Sequence, residues 1–291
     1  MRTRRRTGLF SAVLLVLAAA LIVPEASTAG KTALTAAPAR TRAVWLWGDN
    51  PAAEVVTWAA SKGVSEIFVY VSPSVLVNGD LARLQDMQRR ARTLKIKLSA
   101  LGGDSSWVTD HQAALAWQRT VVRTGIFSGI HLDVEPYLTD GWTGDPQGTQ
   151  RSFLTLLDRL RTASALPLEA DVPFWYGEHR VGGKNFADEV LKRVNAITVM
   201  SYRDTATGPN SITAISQDWL VRGAAAGKKI RLGAETVPLP DCTHCTFHEE
   251  GATRLDQELA KVDAAMRETP AFAGIAIHRY GTWRALPRVS A

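Results

Sequence analysis

The chain has 291 residues, with 34 basic and 28 acidic side chains and a formal net charge of +6. Four of the arginines and Glu25 fall within the first 29 residues, and without that segment the net charge is +3. No Lys/Arg run with interleaved aromatics remains, so the composition gives no support to nucleic-acid binding.

Residues 1–29 have a basic start, an apolar run from Gly8 to Val23, and small residues ending in Ser27 and Ala29. That layout predicts a secretory signal with cleavage before Gly30 and hence an extracellular protein. The run is short for a spanning helix, and the mature chain is not expected to meet a membrane. The paired arginines hint at twin-arginine export, although "RRRTGLF" fits that pattern poorly. Residues 30–40 read as a flexible leader, and 41–291 as one domain of a size that suits an α/β barrel.

Within that domain eight apolar runs are bounded by turns. They are 41–48, 65–72, 97–104, 129–137, 166–176, 196–204, 230–239 and 274–283. Stretches of helical spacing separate them, among them "LARLQDMQRRARTL" and "RSFLTLLDRLRTAS". This alternation predicts parallel strands joined by right-handed crossovers, a (β/α)8 barrel. An open doubly wound sheet is disfavoured because no Gly-rich phosphate loop follows the first strand.

The fourth run, "SGIHLDVEPY", places His131, Asp133 and Glu135 on one face and Ile130, Leu132 and Val134 on the other, since strand side chains alternate. The other strand ends add Trp45, Trp47, Asp171, Trp175, Tyr202, Arg203, Glu235, His278 and Tyr280. Carboxylates converging on one barrel mouth cost desolvation and mutual repulsion, which argues for a site there. The tryptophans offer flat faces for a sugar ring. Cys242 and Cys245, in a loop with His244 and His248, read as a local disulfide in an exported chain; a zinc site or free thiols are the alternatives.

The fourth strand resembles the D-G-x-D-x-D-x-E motif of the chitinase-like family 18 glycoside hydrolases. Asp133 matches its last aspartate and Glu135 its catalytic acid, while Ser128 and His131 stand where the other two aspartates would be. "VMSYRD", with Met200 and Tyr202, is similar to the family's M-x-Y-D, and Trp283 to its eighth-strand tryptophan. The resemblance implies retaining hydrolysis in which the sugar's own acetamido group is the nucleophile, held by Asp133 and Tyr202. A second mechanism uses Glu235 as nucleophile or base opposite Glu135. His131, Asp171, Arg203, His278, Tyr280 and the tryptophans Trp45, Trp47 and Trp175 are then expected to contact the sugar. No cofactor or metal is expected, and the partner is a carbohydrate bound by a monomer. A carbohydrate-binding barrel without catalysis is the competing reading. A metal-dependent hydrolase using His131, Asp133, His278 and Glu235 ranks below it, because the first strand has no H-x-H pair.

Overall fold

The computed structural model describes residues 41–288. The signal segment 1–29, the leader 30–40 and the cleavage point before Gly30 lie outside the described residues. Eight parallel strands close into a barrel: β1 (Arg42–Leu46), β2 (Val64–Tyr70), β3 (Lys97–Gly102), β4 (Gly129–Leu132), β5 (Leu168–Pro173), β6 (Ala196–Met200), β7 (Lys229–Glu235) and β8 (Phe272–His278). They pair in chain order around the ring, β1 closing against β8 through Ala43 and Ala276. Helices α1 (Ala52–Ser61), α2 (Leu81–Thr93), α3 (His111–Thr124), α4 (Pro146–Ala163), α5 (Phe186–Leu191), α6 (Gln217–Ala226) and α7 (Gly251–Met266) pack outside. The expected (β/α)8 architecture is therefore the one observed. Among the described residues no helix is long and apolar enough to cross a membrane.

Local chemistry delivers β4 into register. Asp110 caps α3 by accepting from Ala113 N–H at 3.0 Å, and Gly125, at φ 65°, ends it in a left-handed turn. The chain then enters β4, where Ile130 and Leu132 join the layer between strands and helices. That outer layer holds the large aliphatic residues, each contributing about 1.5–3 kcal/mol on burial.

The space inside the barrel is different. Its apolar part is small, made of Ala43, Trp45, Phe68, Leu101 and Ala276. The rest is polar and mutually paired. Arg231 bonds both oxygens of Glu169 at 2.5 Å and also pairs with Glu66, which accepts from Ser99 Oγ at 2.6 Å. The Thr198 hydroxyl donates to Glu169 at 2.7 Å. Arg231 is thus committed to the amino-terminal end of the barrel. Its pKa is raised: burial pulls it down, and the charges of Glu169 and Glu66 more than restore it.

Every strand ends before its apolar run does, and two of these ends shape the site. β4 ends at Leu132, because Glu135 leads into a 3-10 turn at Pro136–Leu138. β8 ends at His278, and the chain turns into α8 (Tyr280–Ala285).

Candidate active site

Asp133 and Glu135 stand just past the carboxyl end of β4. The ladder outlasts the strand by one residue, since Asp133 N–H donates to Gly102 O at 3.0 Å. Glycine at 103 permits this approach, as a Cβ there would collide with the main chain of Asp133. Glu135 accepts a short hydrogen bond from the Tyr137 hydroxyl, two residues on in the turn. Burial holds the Asp133 carboxyl well above its ordinary pKa, and the negative charges of Asp171 and Glu135 push it further. Glu135 is also raised, first by burial; the Tyr137 hydrogen bond opposes this, Asp171 adds to it and His278 offsets it.

Behind Asp133 lies a connected set of buried groups. Asp171, on β5, accepts from Trp45 Nε1–H at 2.9 Å and lies 2.9 Å from His131 Nε2. The His131 ring stacks on Phe68 with centroids 3.6 Å apart and planes 14° from parallel. Its Nδ1, unpartnered by hydrogen bonding, faces Glu169 at 3.8 Å. Burial lowers the His131 pKa, yet the carboxylates of Asp171 and Glu169 outweigh it and the net shift is upward.

On β7 and β8 a third group forms. Trp47 Nε1–H donates to His278 Nε2 at 3.1 Å, so the other ring nitrogen, Nδ1, carries the proton donated to Glu235 at 2.8 Å. Glu235 also accepts from the backbone N–H groups of Thr236 and Val237 at 2.6 and 2.7 Å. Tyr202 lies beside His278, ring centroids 6.4 Å apart. Burial raises its pKa, and the charges of Glu235, Asp171, Asp133 and Glu135 raise it further.

Asp133, Glu135, Glu235, Tyr202, His278 and Trp47 therefore lie together at the carboxyl end of the barrel. Four residues expected to touch substrate are buried instead. Trp45 (1% exposed), His131 (0%) and Asp171 (3%) lie inside the barrel, where they hold one another. Tyr280 (2%) packs outside it, edge-on to Trp58 at 5.0 Å, because β8 has already given way to a helix. Trp283 shares that place, 4.7 Å from Trp58. Arg203 turns along the rim, bonding Asn210 at 3.0 Å and covering the Phe174 ring at 5.3 Å.

Trp175 does reach the rim, on the β4–β5 side, within an aromatic wall of Tyr137 (5.3 Å), Trp142 (5.8 Å) and Tyr176 (5.2 Å). On the β1–β2 side a cavity of about 630 Å³ is bounded by Trp47, Tyr70, Ser72, Asn78 and Arg83. Tyr137 and Trp142 lie in the segment after the fourth strand that the sequence marks as able to wall a groove, but neither stands out there as a site residue. In the nearby loop Cys242 and Cys245 form a disulfide. They cluster with His244, but joined sulfurs offer no thiolates to a metal.

The arrangement defines a (β/α)8 barrel whose carboxyl-end mouth carries an acidic centre between two aromatic margins. No family model and no curated protein matches the sequence. Solved structures do match it in three dimensions. The GH18 chitinase from Pseudoalteromonas aurantia aligns over 82% of this chain and 93% of its own, with 13% identity and a TM-score of 0.55. The spore cortex-lytic enzyme SleL of Bacillus cereus aligns over 85% and 74%, with 10% identity and a TM-score of 0.55. The barrel is thus the one found in chitinase-like family 18 proteins, and at these identities the likeness is one of fold.

Proposed function

We propose that this protein is an exported glycoside hydrolase acting on a polymer of 2-acetamido sugars, with Glu135 as general acid and Asp133 as the group that orients the acetamido nucleophile. The observation that carries this reading is the Asp133–Glu135 pair at the mouth, both carboxyls shifted toward the protonated form. Protonated Glu135 gives its proton to the leaving glycosidic oxygen; as carboxylate it then draws a proton from the attacking water. Asp133, ionised and turned to the sugar, accepts the acetamido N–H, so that the carbonyl oxygen attacks C1. Tyr202, kept as a neutral phenol, supplies an O–H donor to the same group. The two barrel relatives named as a chitinase and as a spore cortex-lytic enzyme support chitin and peptidoglycan as first substrates.

Double displacement through Glu235 is the weaker reading, because its oxygens already accept from two backbone N–H groups and His278. A nucleophile so engaged would have to break those bonds to reach C1. On a substrate the parent cleaves, Glu135→Gln lowers turnover about 10²-fold or more while binding persists. Glu235→Gln costs less, and azide yields no glycosyl azide from it. Full activity of Glu135→Gln refutes the assignment. Cleavage before Gly30 rests on the layout of residues 1–29, and a secreted chain that begins at Met1 would count against it.

A further inference from the structure

Glu235 lies at the mouth, yet both of its oxygens are already engaged. Oε1 accepts from the backbone N–H groups of Thr236 and Val237 at 2.6 and 2.7 Å, and Oε2 accepts from His278 Nδ1–H at 2.8 Å. The His278 ring is itself enclosed, with Trp45 edge-on at 5.5 Å and Tyr202 stacked at 6.4 Å between centroids. Its remaining polar atom, Nε2, accepts from Trp47 Nε1–H at 3.1 Å. An indole N–H only donates, so that bond requires a bare Nε2. The neutral tautomer that leaves Nε2 bare carries its proton on Nδ1, and a carboxylate at Glu235 selects it.

Trp47 is where this chain of hydrogen bonds meets open space. The residue is half-buried and forms one side of the cavity of about 630 Å³ between the β1 and β2 ends. Tyr70 lines the same cavity, its ring 5.8 Å from that of Trp47 and tilted by 37°. Ser72 and Asn78 add a hydroxyl and an amide to the lining. Aromatic faces beside hydrogen-bonding groups suit a sugar ring.

We propose that Glu235 and His278 are positioning residues for Trp47: the carboxylate fixes the His278 tautomer, and the bare Nε2 fixes the indole as the wall against which a sugar ring of the bound polymer packs. The sugar rests on the glycosidase reading; the fixed tautomer and the fixed indole do not. The seventh-strand carboxylate thus acts through two side chains and not on the substrate itself. Glu235→Gln tests this at nearly constant size. Its Oε1 keeps the two backbone hydrogen bonds, which turns the amide N–H groups toward His278 Nδ1. His278 then carries its proton on Nε2, two N–H groups oppose each other, and the indole is released.

Nitrogen-15 NMR of the histidines in the full chain, at about pH 8 and with His278→Gln for assignment, reads the tautomer directly. The parent shows Nδ1–H at His278, and Glu235→Gln shows Nε2–H. Hydrogen exchange at the Trp47 indole N–H, assigned with Trp47→Phe, quickens about tenfold or more in Glu235→Gln, because the acceptor is gone. His278→Phe, which removes the acceptor outright, decides the exchange result if Glu235→Gln does not fold. Binding of an N-acetylglucosamine hexamer is measured by calorimetry in the Glu135→Gln protein. There Glu235→Gln and Trp47→Phe each weaken it about threefold or more, and both together weaken it no more than either alone. Nε2–H at His278 in the parent, or unchanged indole exchange without the acceptor, overturns the positioning. No binding of the hexamer, or undiminished binding in Trp47→Phe, overturns the sugar wall. The tautomer and exchange readings need no sugar, so failure of the glycosidase reading shows separately, as unchanged turnover in Glu135→Gln.

Discussion

Tyr137→Phe removes one hydroxyl, and the structure gives that loss a sign. The hydroxyl donates to Glu135 and stabilises the charged form of the acid, opposing the upward push of burial. A hydrogen bond to a charged acceptor contributes about 1.5–3 kcal/mol net. Glu135 borders the open mouth, so water replaces part of this, and the lower figure of about 1.5 kcal/mol applies. At about 1.36 kcal/mol per pKa unit, the Glu135 pKa rises by about one unit in the variant. A general acid must be protonated to work, so the alkaline limb of kcat/KM moves to higher pH by about one unit. Turnover at the optimum falls less than about tenfold, because the proton donor itself remains. Titration of carbon-13-labelled glutamate side chains by NMR, with Glu135→Gln for assignment, reads the same shift without a substrate. An unmoved Glu135 midpoint, or one displaced to lower pH, would refute this account of how the acid is tuned.

Two further outcomes follow from the same electrostatics. The Asp133 carboxyl has a folded pKa above its ordinary value of 3.8, so between those two values the folded state holds the extra proton and stability falls as pH rises. Asp133→Asn is therefore more stable than the parent at neutral pH, by a margin that widens by up to about 1.4 kcal/mol per pH unit above about pH 4. Urea unfolding across that range would show a constant margin if the shift were absent. Arg231→Met leaves Glu66 and Glu169 facing each other unpaired inside the barrel, and lowers stability by about 3–5 kcal/mol. A loss under about 1 kcal/mol in urea unfolding would mean that the interior salt bridges are dispensable.

Much of the barrel was legible in the sequence. Parallel strands buried on both faces read as short apolar runs, and their crossover helices as amphipathic stretches, so all eight strands lie where those runs stand. The Asp133–Glu135 pair was legible for the same reason, since strand period alone puts alternate side chains on one face. Local pattern did not tell where a strand stops. Tyr280 and Trp283 read as part of the eighth strand, and Glu135 as part of the fourth, although each lies in the turn or helix that follows.

Who holds whom was settled only by closure of the barrel. Trp45 and Trp175 look alike at the ends of apolar runs, yet one points inward from within β1 and the other lies past the end of β5. Asp171 bonds Trp45, 126 residues away, and His131, 40 away; Arg231 reaches Glu66 across 165. Each polar residue inside the barrel is costly alone and tolerable only beside its partner. The strand–helix alternation and the acidic face of the fourth strand both follow from the periodicity of neighbouring residues, and so can be read from the chain before it folds. The groups whose charges act on that face come from other strands, Asp171 from β5 and His278 from β8, and they are brought near it only when the barrel closes.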